Sequence, residues 1–362
     1  MPPTLCGVPS LPGVYDARSA AAAVFGIECE AAPSAPYLVV DQAAPLPACA
    51  GQRCPLRDIS NVAACFSAGL RVAKAADLRK PSHPTTAPPT LPLTAVDQAL
   101  AEADGHEEAS EYVPSVFGQM FNREVATMPR SRYMDSQVDV NPKMRGILID
   151  WLVDVQAKYK MRPETLYLTV NLIDRYLSRK TASRRRLQLV GVVAMLVAAK
   201  FEELQAPQTD SLVYITDNAY TRREILDMEC SFVAVLGFHV LVPTAFHFLD
   251  RLQRANRGDD FHRNLAQYVL ELGLVEYRMI GYEPSRAAAA ALYVSNRLLG
   301  MRPAWPESVA QLSRWSEGAL EACAGEYQAL FDGAPHHALQ AVRKKFSEKK
   351  RAGVAKSSLR YL

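Results

Sequence analysis

The sequence predicts an all-α protein in which two tandem five-helix bundles follow a disordered N-terminal tail and a short N-terminal helix. From residue 111 onward, apolar residues recur at helical spacing in segments joined by short loops. These segments form two sets of similar lengths, separated at Pro243. A hydrophobic content of 49% in 362 residues is also enough for more than one core. The predicted domains are therefore 1–110, 111–241 and 242–362.

The first set starts with the short N-terminal helix and continues after an extended link that ends at Pro142. Pro163 suits the first turn of one helix, and the next segment is apolar nearly all round, as expected at the centre of a bundle. The last helix is predicted to begin with a capping box from Thr221 to Glu224 and to end at Gly237. The predicted spans are 113–127, 143–159, 163–177, 186–203 and 221–236.

The second set is predicted to contain helices at 244–255, 260–277, 284–300, 306–314 and 317–331. A last helix, 337–350, is strongly basic. Its charge is consistent with nuclear import or with a solvated terminal helix. Among these basic residues only Phe346 could stack on a base, so nucleic acid is not an expected partner.

The N-terminal tail, residues 1–110, is rich in Ala and Pro and has no helical or strand period, which predicts disorder. No two of the seven cysteines form a CxxC pair, so neither a disulfide framework nor a metal site is expected. The net charge of +3 indicates no field for nucleic acid or membrane. No cofactor is expected.

One predicted helix carries charges inside an apolar pattern. The segment 144–155 reads MRGILIDWLVDV, with Arg145 and Asp150 among residues that otherwise indicate a core. Buried charges persist only with partners. The sequence suggests none for Asp150.

Several motifs then occur in order. They are YMDSQ at 133–137, MRGILIDWLVDV at 144–155, ETLYL at 164–168, LQLVG at 187–191, KFEE at 200–203, YITDNAY at 214–220 and APHHA at 334–338. Together they resemble the A- and B-type cyclins over residues 111 to about 355, with the B type closest in the first half. The resemblance implies two tandem cyclin boxes and a regulatory subunit that is not an enzyme.

This resemblance implies that the first box binds a cyclin-dependent kinase. The family's kinase-contacting Lys and Glu correspond to Lys200 and Glu229, and its internal Arg–Asp pair corresponds to Arg145 and Asp174. Alternatively, both pairs only stabilise the box. The apolar surface that receives the kinase is expected at Val197, Phe201, Val233, Phe238 and Val240.

The cyclin docking patch for Arg-x-Leu peptides corresponds to Met144, Ile147, Leu148, Trp151, Asp154, Leu187 and Gln188. A shallow apolar groove would take the Leu, Gln188 would bond the peptide backbone, and Asp154 would attract the Arg. Leu152 and Val155 are expected to face the bundle interior. Gly146 stands where the family usually has Ala, and is expected to change the groove floor.

In the tail, RCPLRDISN resembles a destruction box for the anaphase-promoting ubiquitin ligase, with key residues Arg53, Leu56, Ile59 and Asn61. Lys74 and Lys80 are the only lysines before Lys143 and are predicted ubiquitin acceptors.

The predicted function is thus activation of a cyclin-dependent kinase at G2/M or S/G2, in nucleus and cytoplasm, with degradation through ubiquitination. The alternative is a transcription-type cyclin or a cyclin-fold scaffold, which would be expected to lack the destruction box and the docking patch. The sequence contains no P-loop, GxSxG, HExxH or helix-opening GxGxxG motif, so an enzyme is not expected.

Overall fold

A computed structural model describes residues 112–357, and within this range every regular element is helical. The predicted all-α class is confirmed. Helix α1 (Val113–Glu124) precedes the first bundle. The five helices of that bundle are α2 (Pro142–Lys158), α3 (Pro163–Leu177), α4 (Arg184–Glu202), α5 (Thr209–Ile215) and α6 (Arg222–Val235).

The second bundle follows directly and is succeeded by one short helix, α12 (Ala341–Phe346). None of the helices in the described range is both long enough and apolar enough to span a membrane. The five helices of the second bundle are α7 (Ala245–Asn256), α8 (Asp260–Val275), α9 (Pro284–Leu298), α10 (Glu307–Ser313) and α11 (Glu317–Gly333).

Two helix predictions were wrong. The sequence pattern missed α5, whose seven residues are too few to show a helical period. The predicted helix over 337–350 does not form, because α12 has six residues and a separate 3₁₀ turn covers Lys349–Arg351. The start of α12 lies against α2, where the backbone N–H of Ala341 donates to the carboxylate of Asp150 at 2.9 Å.

The helix starts follow from local capping. The Asn141 side chain accepts the backbone N–H of Met144 at 3.0 Å, and Pro142 takes the first helical position of α2. The predicted capping box of α6 is confirmed. The Thr221 hydroxyl accepts the Glu224 N–H at 3.2 Å, and the Glu224 carboxylate accepts the Thr221 N–H at 2.8 Å.

Each bundle has its own hydrophobic core, and helices of the first bundle also contribute side chains to the core of the second. Val153 of α2 and Leu166 and Tyr167 of α3 pack into the core of the second bundle. Helix α1 also packs there, through Phe117 and Phe121, although it precedes the first bundle in sequence. The two bundles therefore meet over buried apolar surface.

Candidate functional site

Lys200 and Glu229 meet on the surface of the first bundle, as the sequence predicted. The Lys200 Nζ donates to both carboxylate oxygens of Glu229, at 2.6 and 2.8 Å. Lys200 lies near the end of α4 and Glu229 in α6, two helices that pack side by side. The side chains are 51% and 16% exposed. Such a pair contributes at most ~1 kcal/mol to folding, and it remains open to a partner.

Large apolar side chains are exposed next to Lys200 in α4 and just after α6. Phe201 is 47% and Phe238 is 68% exposed. Val233 and Val240 are partly buried against the first core. Val197 is 6% exposed, so it packs mainly in that core and offers a partner little area.

The backbone holds Phe238 outward in an unusual conformation. Gly237 and Phe238 have φ values of +64° and +61°, and the Phe238 N–H closes the end of α6 by donating to the Val233 carbonyl at 2.9 Å. A bulky aromatic residue rarely adopts positive φ, because its Cβ then crowds the backbone. Backbone strain of this kind concentrates at functional sites. A large apolar ring that the backbone holds in water fits a docking surface.

Two further residues extend this surface, and the sequence reading missed both. Leu204, just after α4, and Leu241, just before the second bundle, are 106% and 60% exposed. Both lie in connecting segments rather than in helices, so helical periodicity gives no signal for them. Their exposure adds apolar surface to the segments that follow α4 and α6.

Arg145 and Asp174 form a buried bidentate pair between α2 and α3. Arg145 Nε and Nη2 each donate to one oxygen of Asp174 at 2.7 Å. The Tyr133 hydroxyl donates to Asp174 at 2.7 Å. Arg145 Nη1 also donates to the carbonyls of Leu274 and Val275, at 2.9 and 3.3 Å. The sequence predicted the pair but missed Tyr133 and the two carbonyls, which belong to the second bundle.

Both members of this pair are deeply buried, and each offsets the charge of the other. Arg145 is 1% exposed and Asp174 is 2% exposed. Burial alone lowers the pKa of Arg145, but the facing charge and hydrogen bonds of Asp174 outweigh it and raise the pKa. Burial and the Asp174 charge likewise raise the pKa of Tyr133. The Arg145 guanidinium therefore stays charged, and the Tyr133 hydroxyl stays protonated, where the two bundles meet.

The predicted docking patch is only partly at the surface. Ile147, Trp151 and Asp154 are partly exposed. Leu152 and Val155 are buried, as predicted. Four other predicted patch residues are also buried, because α2 and α4 pack against each other in the first core: Met144, Leu148, Leu187 and Gln188 are 8%, 0%, 0% and 3% exposed. A direct peptide contact is therefore restricted mainly to one edge of α2.

Two expectations about α2 need correction. Asp150 has a partner after all, the Ala341 N–H, and burial raises its pKa to about 6. Gly146 lines a partly covered cavity with Ile147, Val275 and Leu339, and not an open groove floor shared with Trp151. A Cβ built there would lie 3.3 Å from Leu339 Cδ1 and 3.4 Å from the Val275 carbonyl oxygen, so this face of α2 is covered by the C-terminal segment and by α8.

The destruction-box residues and the predicted acceptors Lys74 and Lys80 lie outside the described residues. Within residues 112–357, no group of three or more His, Cys, Asp or Glu side chains is placed to hold a metal ion.

Both bundles match known protein domains. Residues 115–241 match the family model "Cyclin, N-terminal domain", and residues 243–359 match "Cyclin, C-terminal domain". The crystal structure of a viral cyclin from herpesvirus saimiri matches with a TM-score of 0.53 at 20% identity, covering 59% of this chain and 97% of that chain. At this identity the match shows a shared fold.

Plant cyclins of two types show closer sequence similarity. Cyclin-B1-2 of Arabidopsis thaliana is 39% identical over 260 residues, covering 72% of this chain and 58% of the relative. Cyclin-A1-1 of Oryza sativa subsp. japonica is 37% identical over 294 residues, covering 79% of this chain and 58% of the relative. The chain thus spans less than two thirds of the length of these relatives.

Proposed function

Because the chain belongs to the cyclin family and is of its A/B type, we propose that it is the regulatory subunit of a cyclin-dependent protein kinase acting in the cell cycle, at G2/M or S/G2. The observation that carries this proposal is the Lys200–Glu229 pair, with Phe201 and Phe238 exposed at the C-terminal ends of the two helices that carry it. A charged pair that a partner can reach fixes the orientation of an interface, and large aromatic side chains supply much of its contact energy.

Activation would work by differential affinity. A kinase that exchanges between an inactive and an active form is shifted toward whichever form a ligand binds more tightly. The surface around Lys200 would hold the kinase's regulatory helix inward, where the internal Glu–Lys pair of the active kinase forms. The rigid first bundle suits this role, because the pair is set before the partner arrives.

The test is recovery of the tagged full chain from dividing cells, with a histone-kinase assay on the eluate. The parent is expected to bring down a cyclin-dependent kinase and its activity, and the Lys200→Ala, Glu229→Ala double variant is expected to lose both. The matched control is Arg132→Ala with Asp135→Ala, which removes another exposed pair, with side chains 86% and 65% exposed. Failure to recover any such kinase, with the Lys200/Glu229 variant equal to the parent, would refute the proposal.

We also propose that Arg-x-Leu peptides dock along Ile147, Trp151 and Asp154, and that the chain is degraded through its destruction box. The support is the partial exposure of these three side chains and the sequence of the tail.

A Lys74→Arg, Lys80→Arg variant is expected to persist longer than the parent at mitotic exit. Equal half-lives would exclude these two lysines as preferred ubiquitin acceptors.

Nuclear as well as cytoplasmic residence remains a proposal that rests on the basic C-terminal run. Lys345 is 6% exposed and pairs with Glu271 at 2.7 Å, so it is not available to an import receptor. Lys344, Lys349 and Lys350 are exposed. Substituting these three by Gln is expected to reduce nuclear accumulation of a fluorescent fusion, and an unchanged distribution would count against the proposal.

A further inference from the structure

The segment between α3 and the first turn of α4 is the most densely basic surface of the first bundle. It carries Arg179, Lys180, Arg184, Arg185 and Arg186, all exposed. Within residues 112–357, no carboxylate forms a salt bridge with Arg179, Lys180, Arg185 or Arg186. We call these four residues the basic patch. Cations this close repel one another, so their clustering costs folding free energy and favours an anionic partner.

The backbone that carries the basic patch is fixed by hydrogen bonds. The Gln137 side-chain amide donates to the carbonyls of Leu177 and Lys180, at 2.7 and 3.0 Å, and its oxygen accepts the Ala182 N–H at 3.0 Å. Further along, the Tyr220 hydroxyl donates to the Arg185 carbonyl at 2.6 Å. A backbone held in this way loses little further entropy when a partner binds.

A buried arginine adds to the positive field beneath the patch. Arg175 is 4% exposed, and within residues 112–357 its guanidinium donates to the Asn171 side-chain oxygen at 3.4 Å. Burial and the neighbouring charge of Arg179 lower the pKa of Arg175 to about 10, so it remains a cation at neutral pH. Its charge faces low-dielectric surroundings, where it is screened less than a surface charge.

The chemistry favours peptide over nucleic acid as the partner. Single-stranded nucleic acids are held by aromatic side chains on which bases stack, in addition to cations. The aromatic residues that adjoin the patch, Tyr176 and Tyr220, are 3% and 7% exposed and offer no free ring face. A surface of cations without stacking rings fits carboxylate or phosphate groups on an extended chain.

The basic patch lies next to the start of α2, the helix that carries the proposed docking edge. Asp139, three residues before α2 begins at Pro142, accepts the Arg184 N–H at 2.7 Å, so the starts of α2 and α4 are neighbours. We propose that the basic patch docks acidic or phosphorylated residues that flank an Arg-x-Leu core in the same peptide. This inference rests on the proposed peptide docking at Ile147 and Trp151, and adds a charge requirement to it.

The test uses the full chain and labelled synthetic peptides with one Arg-x-Leu core. In each peptide a run of Gln, Glu or phosphoserine either precedes or follows the core. Binding is followed by fluorescence anisotropy at low and at high salt. On one side of the core, the Glu flank is expected to tighten binding about tenfold over the Gln flank at low salt, with the gain shrinking at high salt. A larger gain with phosphoserine would identify phosphorylated peptides as the preferred source of the charge.

The decisive variant is Lys180→Gln with Arg185→Gln, which keeps the backbone carbonyls that Gln137 and Tyr220 bind. It is expected to remove most of the gain and leave the affinity for the Gln-flanked peptide unchanged. Lys349→Gln with Lys350→Gln is the control, because it changes the net charge equally at another exposed site.

Each contrary outcome is distinct. No gain from Glu or phosphoserine on either side, or a gain that survives in Lys180→Gln, Arg185→Gln, overturns the inference while the docking edge stands. No binding of the Gln-flanked peptide refutes the docking edge and this inference with it, and the kinase assay is unaffected. An oligothymidylate that binds as tightly as the Glu-flanked peptide, with the same loss in the variant, would show a general polyanion surface instead.

Discussion

Two cation–carboxylate pairs of the first bundle have the same sequence separation and opposite surroundings. Arg145 and Asp174 lie 29 residues apart, as do Lys200 and Glu229. The first pair is 1–2% exposed. Asp174 also accepts a hydrogen bond from Tyr133, and Arg145 also donates to the Leu274 carbonyl of the second bundle. The second pair lies at the surface, where the Lys200 side chain is 51% exposed and the Glu229 side chain is 16% exposed. Equal spacing therefore does not give equal roles.

The two pairs differ in their access to water. In the buried pair each charge depends on the other, because neither can recover its hydration if the partner is removed. In the exposed pair water can replace either partner, so the pair adds little to folding and can be shared with another protein. Burial thus assigns the first pair to the architecture and leaves the second accessible to a partner, as the proposed kinase binding requires.

The largest expected effect is on stability at the buried pair. Arg145→Met should lower the free energy of unfolding by about 3–5 kcal/mol, because it leaves the Asp174 charge buried and unpaired. Lys200→Met should cost less than about 1 kcal/mol. Urea unfolding followed by far-UV circular dichroism measures both. Equal losses for the two variants would contradict the contrast between the pairs.

The next effect separates binding from stability at the exposed pair. Exchanging the charges, Lys200→Glu with Glu229→Lys, should change the unfolding free energy by less than about 1 kcal/mol, since the pair can re-form in water. Kinase affinity should fall by about 2–5 kcal/mol, because the partner would then meet reversed charges. Isothermal titration with the purified kinase measures this loss. Unchanged affinity would show that the pair is structural only.

Asp150 tests an intermediate degree of burial on the same helix as Arg145. Its pKa is raised from 3.8 to about 6 by burial, with the Asp154 charge adding to the rise and the Ala341 N–H and His337 opposing it. A carboxyl whose folded pKa is raised contributes stability below its unfolded pKa, and this stability is lost as the pH rises through about 6. Asp150→Asn keeps an acceptor for Ala341 without a charge.

Relative to the parent, Asp150→Asn should therefore gain up to about 2–3 kcal/mol in unfolding free energy between about pH 4 and about pH 7. Asp135→Asn, at an exposed position, is the control and should show little such change. Urea unfolding at several pH values measures the difference. A pH-independent difference between Asp150→Asn and the parent would rule out the titration.

The smallest effect is expected at Gly146. Gly146→Ala gains up to ~1 kcal/mol of helix propensity, but its Cβ meets Leu339 and the Val275 carbonyl closely, so the net change in stability should stay within about 1 kcal/mol. The affinity for an Arg-x-Leu peptide should be unchanged, because this face of α2 lies under the C-terminal segment. Fluorescence anisotropy measures this affinity, and a clear change would show that Gly146 belongs to the docking surface.

Sequence reasoning succeeded where the signal is local. The capping box at Thr221, the proline start at Pro163 and the break at Gly237 all act within one helical turn. It failed for the helix over 337–350, because there a contact with Asp150 on α2 sets the path of the chain. That contact joins residues 191 positions apart, a separation that no local pattern encodes.

By itself, the sequence determined the all-α class, most of the helix starts and the pairing of Arg145 with Asp174 and Lys200 with Glu229. Hydrophobic period and capping are properties of short windows, and the motifs identified the family. Only the tertiary structure decided which pair is buried, that Leu148 and Gln188 face the core, and that Gly146 lies under the C-terminal segment. Burial depends on which helices cover a residue, and those helices come from distant parts of the chain.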